Sequence, residues 1–149
     1  MRWFKILTVV LCGICFNAEA ASGKISKVLI HYLDAKGRHA LSPSLYDRDA
    51  YQAQLRKSPE VCSALRFGIH WKAKVAGTSN LKLRMEIRGS KEARPFILEQ
   101  PVKPNRWPNR WASLTLPRED WQRVGEIISW RATLWDGEQL LGEQKSFLW

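Results

Sequence analysis

The chain has 149 residues, 45% of them hydrophobic and 26% charged, with 24 Lys and Arg against 14 Asp and Glu and a formal net charge of +10. That apolar content excludes a disordered chain, and no uninterrupted apolar run reaches the roughly 18–20 residues of a membrane-spanning helix. What remains is one ordinary globular domain with a strongly basic balance.

Arg2 and Lys5 precede an apolar run from Ile6 to Phe16, and Ala18-Glu19-Ala20 comes next. A short basic region, a short apolar stretch and small residues at the minus-three and minus-one positions are what a signal peptidase reads, so residues 1–20 are expected to be a cleaved signal peptide. Cys12 follows Leu11 and Cys15 follows Ile14. Neither has the small preceding residue that a bacterial lipidation site requires. Cleavage after Ala20 removes Cys12 and Cys15, leaving Cys62 in a single domain over residues 21–149, and no intramolecular disulfide can form there. A buried, inert thiol is expected. Losing Arg2, Lys5 and Glu19 takes the charge to +9. The chain contains no Asn-x-Ser/Thr sequon, which points to a bacterial periplasmic or extracellular protein.

Period-two alternation dominates the rest of the chain. Ile25 to Leu33 reads as a first strand closed by a turn at Asp34-Ala35-Lys36-Gly37. Ser44-Leu45-Tyr46-Asp47 fits a capping box, and good helix formers from Asp49 to Lys57 predict a helix of about three turns that Ser58-Pro59 stops. Leu65, Phe67, Ile69 and Trp71 alternate with polar or small residues, and Leu81, Leu83, Met85 and Ile87 alternate with Lys82, Arg84, Glu86 and Arg88. Each series is a half-buried strand, with residues 76–80 as the turn between them. Pro95 to Gln100 comes next as an edge strand, then Trp111 to Leu116. A single helical turn at residues 118–123 should cross between sheets. Glu126 to Trp135 and Gln139 to Leu148 close the chain as a hairpin around Asp136-Gly137, a pair that tolerates the positive φ of a type I′ turn.

Seven short strands, no strand-helix alternation and the closing segment Ile128-Ser129-Trp130-Arg131-Ala132-Thr133-Leu134-Trp135-Asp136-Gly137 resemble an immunoglobulin-like or fibronectin type III-like domain. The resemblance implies an all-β, two-sheet sandwich of about seven strands, here with a short helix inserted after the first strand. The antibody-type Cys…Trp…Cys signature is absent.

Catalytic groups are sparse. His31, His39 and His70 fall on a first strand, a turn and a second strand, and nothing in their spacing brings them together. Cys62 and His70 lie most of a strand apart. No metal-ligand spacing, phosphate loop, dinucleotide fingerprint or Gly-x-Ser-x-Gly is present, so neither an enzyme nor a cofactor is expected.

Binding features are stronger. Pro104-Asn105-Arg106-Trp107 and Pro108-Asn109-Arg110-Trp111 place Arg donors beside aromatic planes in a stiff connection. Trp111 is expected to enter the core as it begins its strand, while Trp107 stays open to either role. If Ile128, Trp130, Ala132 and Leu134 face inward, Arg131 and Trp135 face out on the strand that pairs with the one carrying Lys82, Arg84 and Arg88. That is a basic sheet face suited to polyanions, namely acidic polysaccharide, lipopolysaccharide or another envelope polymer. The expected ligand-binding set is Lys82, Arg84, Arg88, Arg106, Trp107, Arg110, Arg131 and Trp135. An ordinary solvated face, its Lys and Arg guarding against edge aggregation, has the same pattern. The alternative function is a structural or assembly protein touching other proteins through its helix and a sheet edge. Phe147-Leu148-Trp149 also matches the terminus of outer-membrane barrels, but seven strands and a helix make no continuous lipid-facing band, and Trp149 is expected in the core.

Overall fold

The computed structural model describes residues 20–75, 79–104 and 110–149. The signal-peptide assignment, apart from Ala20, lies outside the described residues, as do Arg106 and Trp107 of the expected binding set. In chain order the elements are β1 (Ser22–Asp34), α1 (Leu45–Lys57), a short 3-10 turn (Pro59–Val61), β2 (Cys62–Lys74), β3 (Leu81–Gly89), β4 (Phe96–Pro101), β5 (Trp111–Pro117), α2 (Arg118–Val124), β6 (Ile127–Asp136) and β7 (Gln139–Lys145). The strands form two antiparallel sheets, one of three in the order β1-β2-β5 and one of four in the order β4-β3-β6-β7. Among the described residues the fold is thus mostly β with two α-helices. Among the described residues no helix is long and apolar enough to cross a membrane.

Alternation decides which face each strand buries. Leu65, Phe67, Ile69 and Trp71 of β2 meet Leu81, Leu83, Met85 and Ile87 of β3 and Ala132 and Leu134 of β6 in one core, with Leu114 and Leu116 added by β5. Removing that apolar surface from water is the main stabilising term. Trp130 packs against this core from the inward face of β6, as expected, but stays partly exposed. Strand β1 begins in phase with Ile25 opposite Trp71, and then a bulge at Ser26 resets the register so that Lys27 lies opposite His70. Beyond the bulge, Val28, Ile30 and Tyr32 pack on the core. An extra residue in one strand is a phase shift, and it puts Lys24 and Lys27 on the same outer face although they are three apart.

The connections arise from local chemistry. Ser44 caps α1, its Oγ accepting from the Asp47 backbone N–H at 3.4 Å, while the reciprocal carboxylate bond of a full capping box is not made among the described residues. Gln52, on the buried side of α1, uses its amide as a backbone mimic. Its Oε1 accepts from Tyr32 N at 2.8 Å, and its Nε2 donates to Tyr32 O at 2.9 Å and His39 O at 2.8 Å. The outer edge of β1 is thereby closed to further pairing at this point. Asp34 organises the turn after β1, its carboxylate accepting from the Lys36 and Arg38 backbone N–H groups, the Arg38 side chain and the Tyr51 hydroxyl. These bonds hold its pKa far below the usual carboxylate range, the Arg38 backbone N–H contributing most. Helix α2 carries the chain from β5 in one sheet to β6 in the other. It is seven residues long rather than a single turn, and it ends at Gly125 with φ of 83°.

Candidate functional site

Lys82, Arg84, Arg88, Arg131 and Trp135 do share the outer face of the four-stranded sheet, because β3 and β6 pair with Arg84 opposite Thr133 and Glu86 opposite Arg131. Contrary to the expectation from alternation, that face is not a free basic surface. Glu86, only 8% exposed, sits among the cations. Arg131 Nε donates to its Oε2 at 2.7 Å and an Arg84 terminal nitrogen lies 3.0 Å from its Oε1. Glu99 arrives in register from β4, opposite Arg84, and takes the Lys82 ammonium at 3.2 Å. Trp135 Nε1 donates to Thr133 Oγ1 at 2.8 Å. Trp149 is not in the core either. Its ring covers this face, with the Arg88 guanidinium carbon 4.0 Å and that of Arg131 5.3 Å from its centre. The strands of this sheet carry Lys82, Arg84, Arg88, Arg131 and Lys145 against Glu86, Glu99, Asp136 and Glu143, close to neutrality.

The other sheet holds the uncompensated charge. Its strands carry Lys24, Lys27, Arg66, Lys72 and Lys74 against a single carboxylate, Asp34, which is paired with Arg38 at 2.9 Å. None of the five cations has an ion-pair partner among the described residues. Register makes the clustering sharper. Lys24 lies directly opposite Lys72, Lys27 opposite His70, and His31 opposite Arg66. The Lys and Arg residues of these pairs run as a cationic stripe along the outer side of β1 and β2. At its Ser22 end, Lys24, Lys72, Lys74 and Arg110 line a depression of about 300 Å³ without a carboxylate. Arg110 is held there by its backbone, whose carbonyl accepts from Trp71 N at 2.9 Å. Of the expected binding set, Arg110 is the residue brought to this cluster. The undescribed residues 76–78 and 105–109 contain no Asp or Glu to neutralise it.

Trp111 flanks the stripe rather than entering the core. Ala112, Leu114 and Leu116 take the inward positions of β5, so Trp111 points outward and is 43% exposed. It lies opposite His70 in register, with ring centres 5.0 Å apart. Gly68, in the neighbouring row, lies beside the indole, where an added Cβ would make an ordinary contact of 3.7 Å with the ring edge.

His31 and His39, expected to be unrelated, are brought together with ring centres 5.0 Å apart. The turn after β1 folds back over the outer sheet face, which sequence spacing could not reveal. Burial, then the neighbouring His39, Arg66 and Arg48, push the His31 pKa down to about 4, and His39 is lowered by burial and the same two arginines. The Nδ1 atom of His31 is buried without a hydrogen-bond partner among the described residues. No group of three or more His, Cys, Asp or Glu gathers as a metal site among the described residues. Cys62 is fully buried, its Sγ directed at Leu55 O at 3.4 Å, and burial pushes its thiol up. It is poorly suited to nucleophilic chemistry, which needs the thiolate. Compared with protein-family models, with curated proteins and with solved structures, the chain matches none.

Proposed function

We propose that this chain is an exported, non-catalytic binding module that holds an anionic polymer of the cell envelope, an acidic polysaccharide or lipopolysaccharide, along the cationic stripe of β1 and β2. The observation that carries this reading is the placement of Lys24 directly opposite Lys72, next to Lys74 and Arg110, with no carboxylate among the described residues that line their depression. Like charges directly opposite one another in a ladder destabilise the sheet by about 0.2–1 kcal/mol. Such an arrangement is maintained at a cost to the free domain, and a bound anion relieves it. Trp111 beside the stripe offers an apolar plane for a sugar ring, and the +9 charge of residues 21–149 supports attraction at long range.

The immunoglobulin-like topology belongs to the same proposal. In a constant-type domain the first, second, fifth and fourth strands make one sheet, and the third, sixth and seventh the other. Moving the fourth strand from beside the fifth to beside the third yields the β1-β2-β5 and β4-β3-β6-β7 orders found here. Export, the periplasmic or extracellular setting and the absence of catalysis rest on the sequence reading.

The test is retention and affinity on heparin and on purified lipopolysaccharide across a salt series. Affinity should fall steeply with salt, and the log–log slope should decrease by about 1 for each cation removed from a phosphate or sulfate contact. Lys24→Glu, Lys72→Glu and Arg110→Ala should each reduce it, whereas Lys82→Ala should leave it unchanged. Salt-independent or absent retention of the wild-type chain would remove the reading. A second reading, protein contact through the helix, draws on Leu41, Leu45 and Tyr46 at 61%, 64% and 83% exposure at the start of α1. Envelope-protein binding lost in Leu45→Ser but retained in Lys72→Glu would favour it.

A further inference from the structure

A second cleft of the described structure lies elsewhere. It measures about 720 Å³ and opens where the Tyr32 end of β1, the 3-10 turn after α1 and helix α2 converge. Tyr32 is ten positions along β1 from Ser22, ~33 Å at strand rise, so this cleft and the cationic depression are separate places on the molecule. Its volume lies within the ~300–1,000 Å³ of small-molecule sites.

The floor of the cleft is aromatic. The Tyr32 and Trp121 rings meet edge to face with centres 5.6 Å apart, and the Arg56 guanidinium carbon lies 5.7 Å from the Tyr32 ring centre. The walls are fixed by backbone contacts. Arg118 donates to the carbonyls of Glu60 and Cys62, and Lys91 Nζ donates to Gln122 O at 3.0 Å. Two of the three lining cations therefore have a structural task. The other polar residues lining the cleft are Arg56, Glu60, Gln122 and Glu126, which offer a guanidinium, two carboxylates and a side-chain amide. None of these groups makes a hydrogen bond or ion pair to protein among the described residues.

We propose that this cleft is a binding site for a short neutral saccharide of one or two sugar rings. A hydroxyl both donates and accepts, so a polyhydroxylated ligand uses carboxylate acceptors, guanidinium donors and an amide together. The C–H face of a sugar ring meets the electron-rich face of an aromatic side chain, which Trp121 in the lining of the cleft supplies. A polyanion gains little here, because two free carboxylates oppose one free guanidinium. A simple cation would face Arg56, and a purely apolar ligand would strand four polar side chains out of water. The site is independent of the cationic stripe, and either can hold or fail without the other.

The experiment is a titration of the isotope-labelled exported protein with cellobiose, maltose and diacetylchitobiose, tracked at the tryptophan indole N–H signals. At least one disaccharide should produce a saturable shift of the Trp121 indole at millimolar concentration, with the Trp111 indole unmoved and the affinity indifferent to added salt. Gln122 and Glu126 are exposed, so Gln122→Ala and Glu126→Gln retain the fold. Each should weaken that affinity about tenfold, the loss of one good hydrogen bond. No shift with any of the three sugars overturns the proposal. So does a shift that persists unchanged in both variants, one confined to Trp111, or one abolished by salt.

Discussion

Gln52 shows how much can depend on one side chain. Its amide satisfies both backbone groups of Tyr32 on an otherwise open strand edge and also holds the His39 carbonyl. Leaving those groups unpaired should make Gln52→Ala less stable by about 2–4 kcal/mol in denaturant unfolding. A loss below the resolution of the measurement would mean that water replaces the amide freely. Gly89 is constrained differently. A Cβ there would come 2.1 Å from the Val124 carbonyl oxygen, which is backbone and cannot swing aside. Gly89→Ala should therefore cost about 3 kcal/mol or more, or abolish folding, as read by thermal melting. Arg131 is paired with the buried Glu86, so Arg131→Glu should destabilise by about 1–3 kcal/mol rather than act as a silent surface change. Nothing in the alternation of β3 could show that the Arg on the neighbouring strand was already committed, because ion pairing depends on register and on which strand supplies the carboxylate.

Among the elements, period-two alternation located β2 and β3, Asp136-Gly137 located the β6-β7 hairpin, and Ser44 with Ser58-Pro59 located α1, because these signals are local. What was not legible was the phase of β1. The bulge at Ser26 breaks the phase that alternation relies on, and only the resulting register brings Lys24 opposite Lys72 and Lys27 opposite His70. Alternation by itself showed a basic face on β3 and β6, where Glu86 and Glu99 pair with its cations. Trp111 was misplaced for a related reason, since the phase of a short strand is set by which of its neighbours reach the core. The turn after β1 also carries a pH dependence that only its folding back creates. Folding lowers the His31 pKa from 6.5 to about 4 and lowers that of His39. The unfolded chain then binds more protons than the folded one between those values, so stability should fall as pH drops from about 6.5 to about 4. Asp34, depressed by folding, contributes stability that is present above its unfolded pKa and lost as pH falls further, so its loss comes after that of the histidines. Unfolding midpoints should decline across the first window in the wild type and more shallowly in His31→Gln; a flat profile in the wild type would contradict the burial of that ring.

Across the whole molecule, two sheets share one core but divide the charge unequally. The four-stranded sheet pairs its cations internally and places Trp149 over two of them, while in the three-stranded sheet Lys24 faces Lys72 and none of the five cations has an ion-pair partner among the described residues. One consequence distinguishes a ligand-binding stripe from a merely solvated surface. Lys72→Glu turns a like-charge pair into an opposite-charge pair, so it should raise the stability of the free domain by roughly 0.5–1 kcal/mol while weakening polyanion binding. Stability and binding moving in opposite directions at one residue is the signature of a surface kept strained for a ligand. The most direct measurement is a backbone amide shift map of the domain titrated with a short heparin oligosaccharide. Perturbations should concentrate in residues 22–31, 66–74 and 110–111, with β3 and β6 unmoved; shifts centred on residues 82–88 and 129–135 instead would place the anion on the ion-paired sheet and contradict the assignment of binding to β1 and β2.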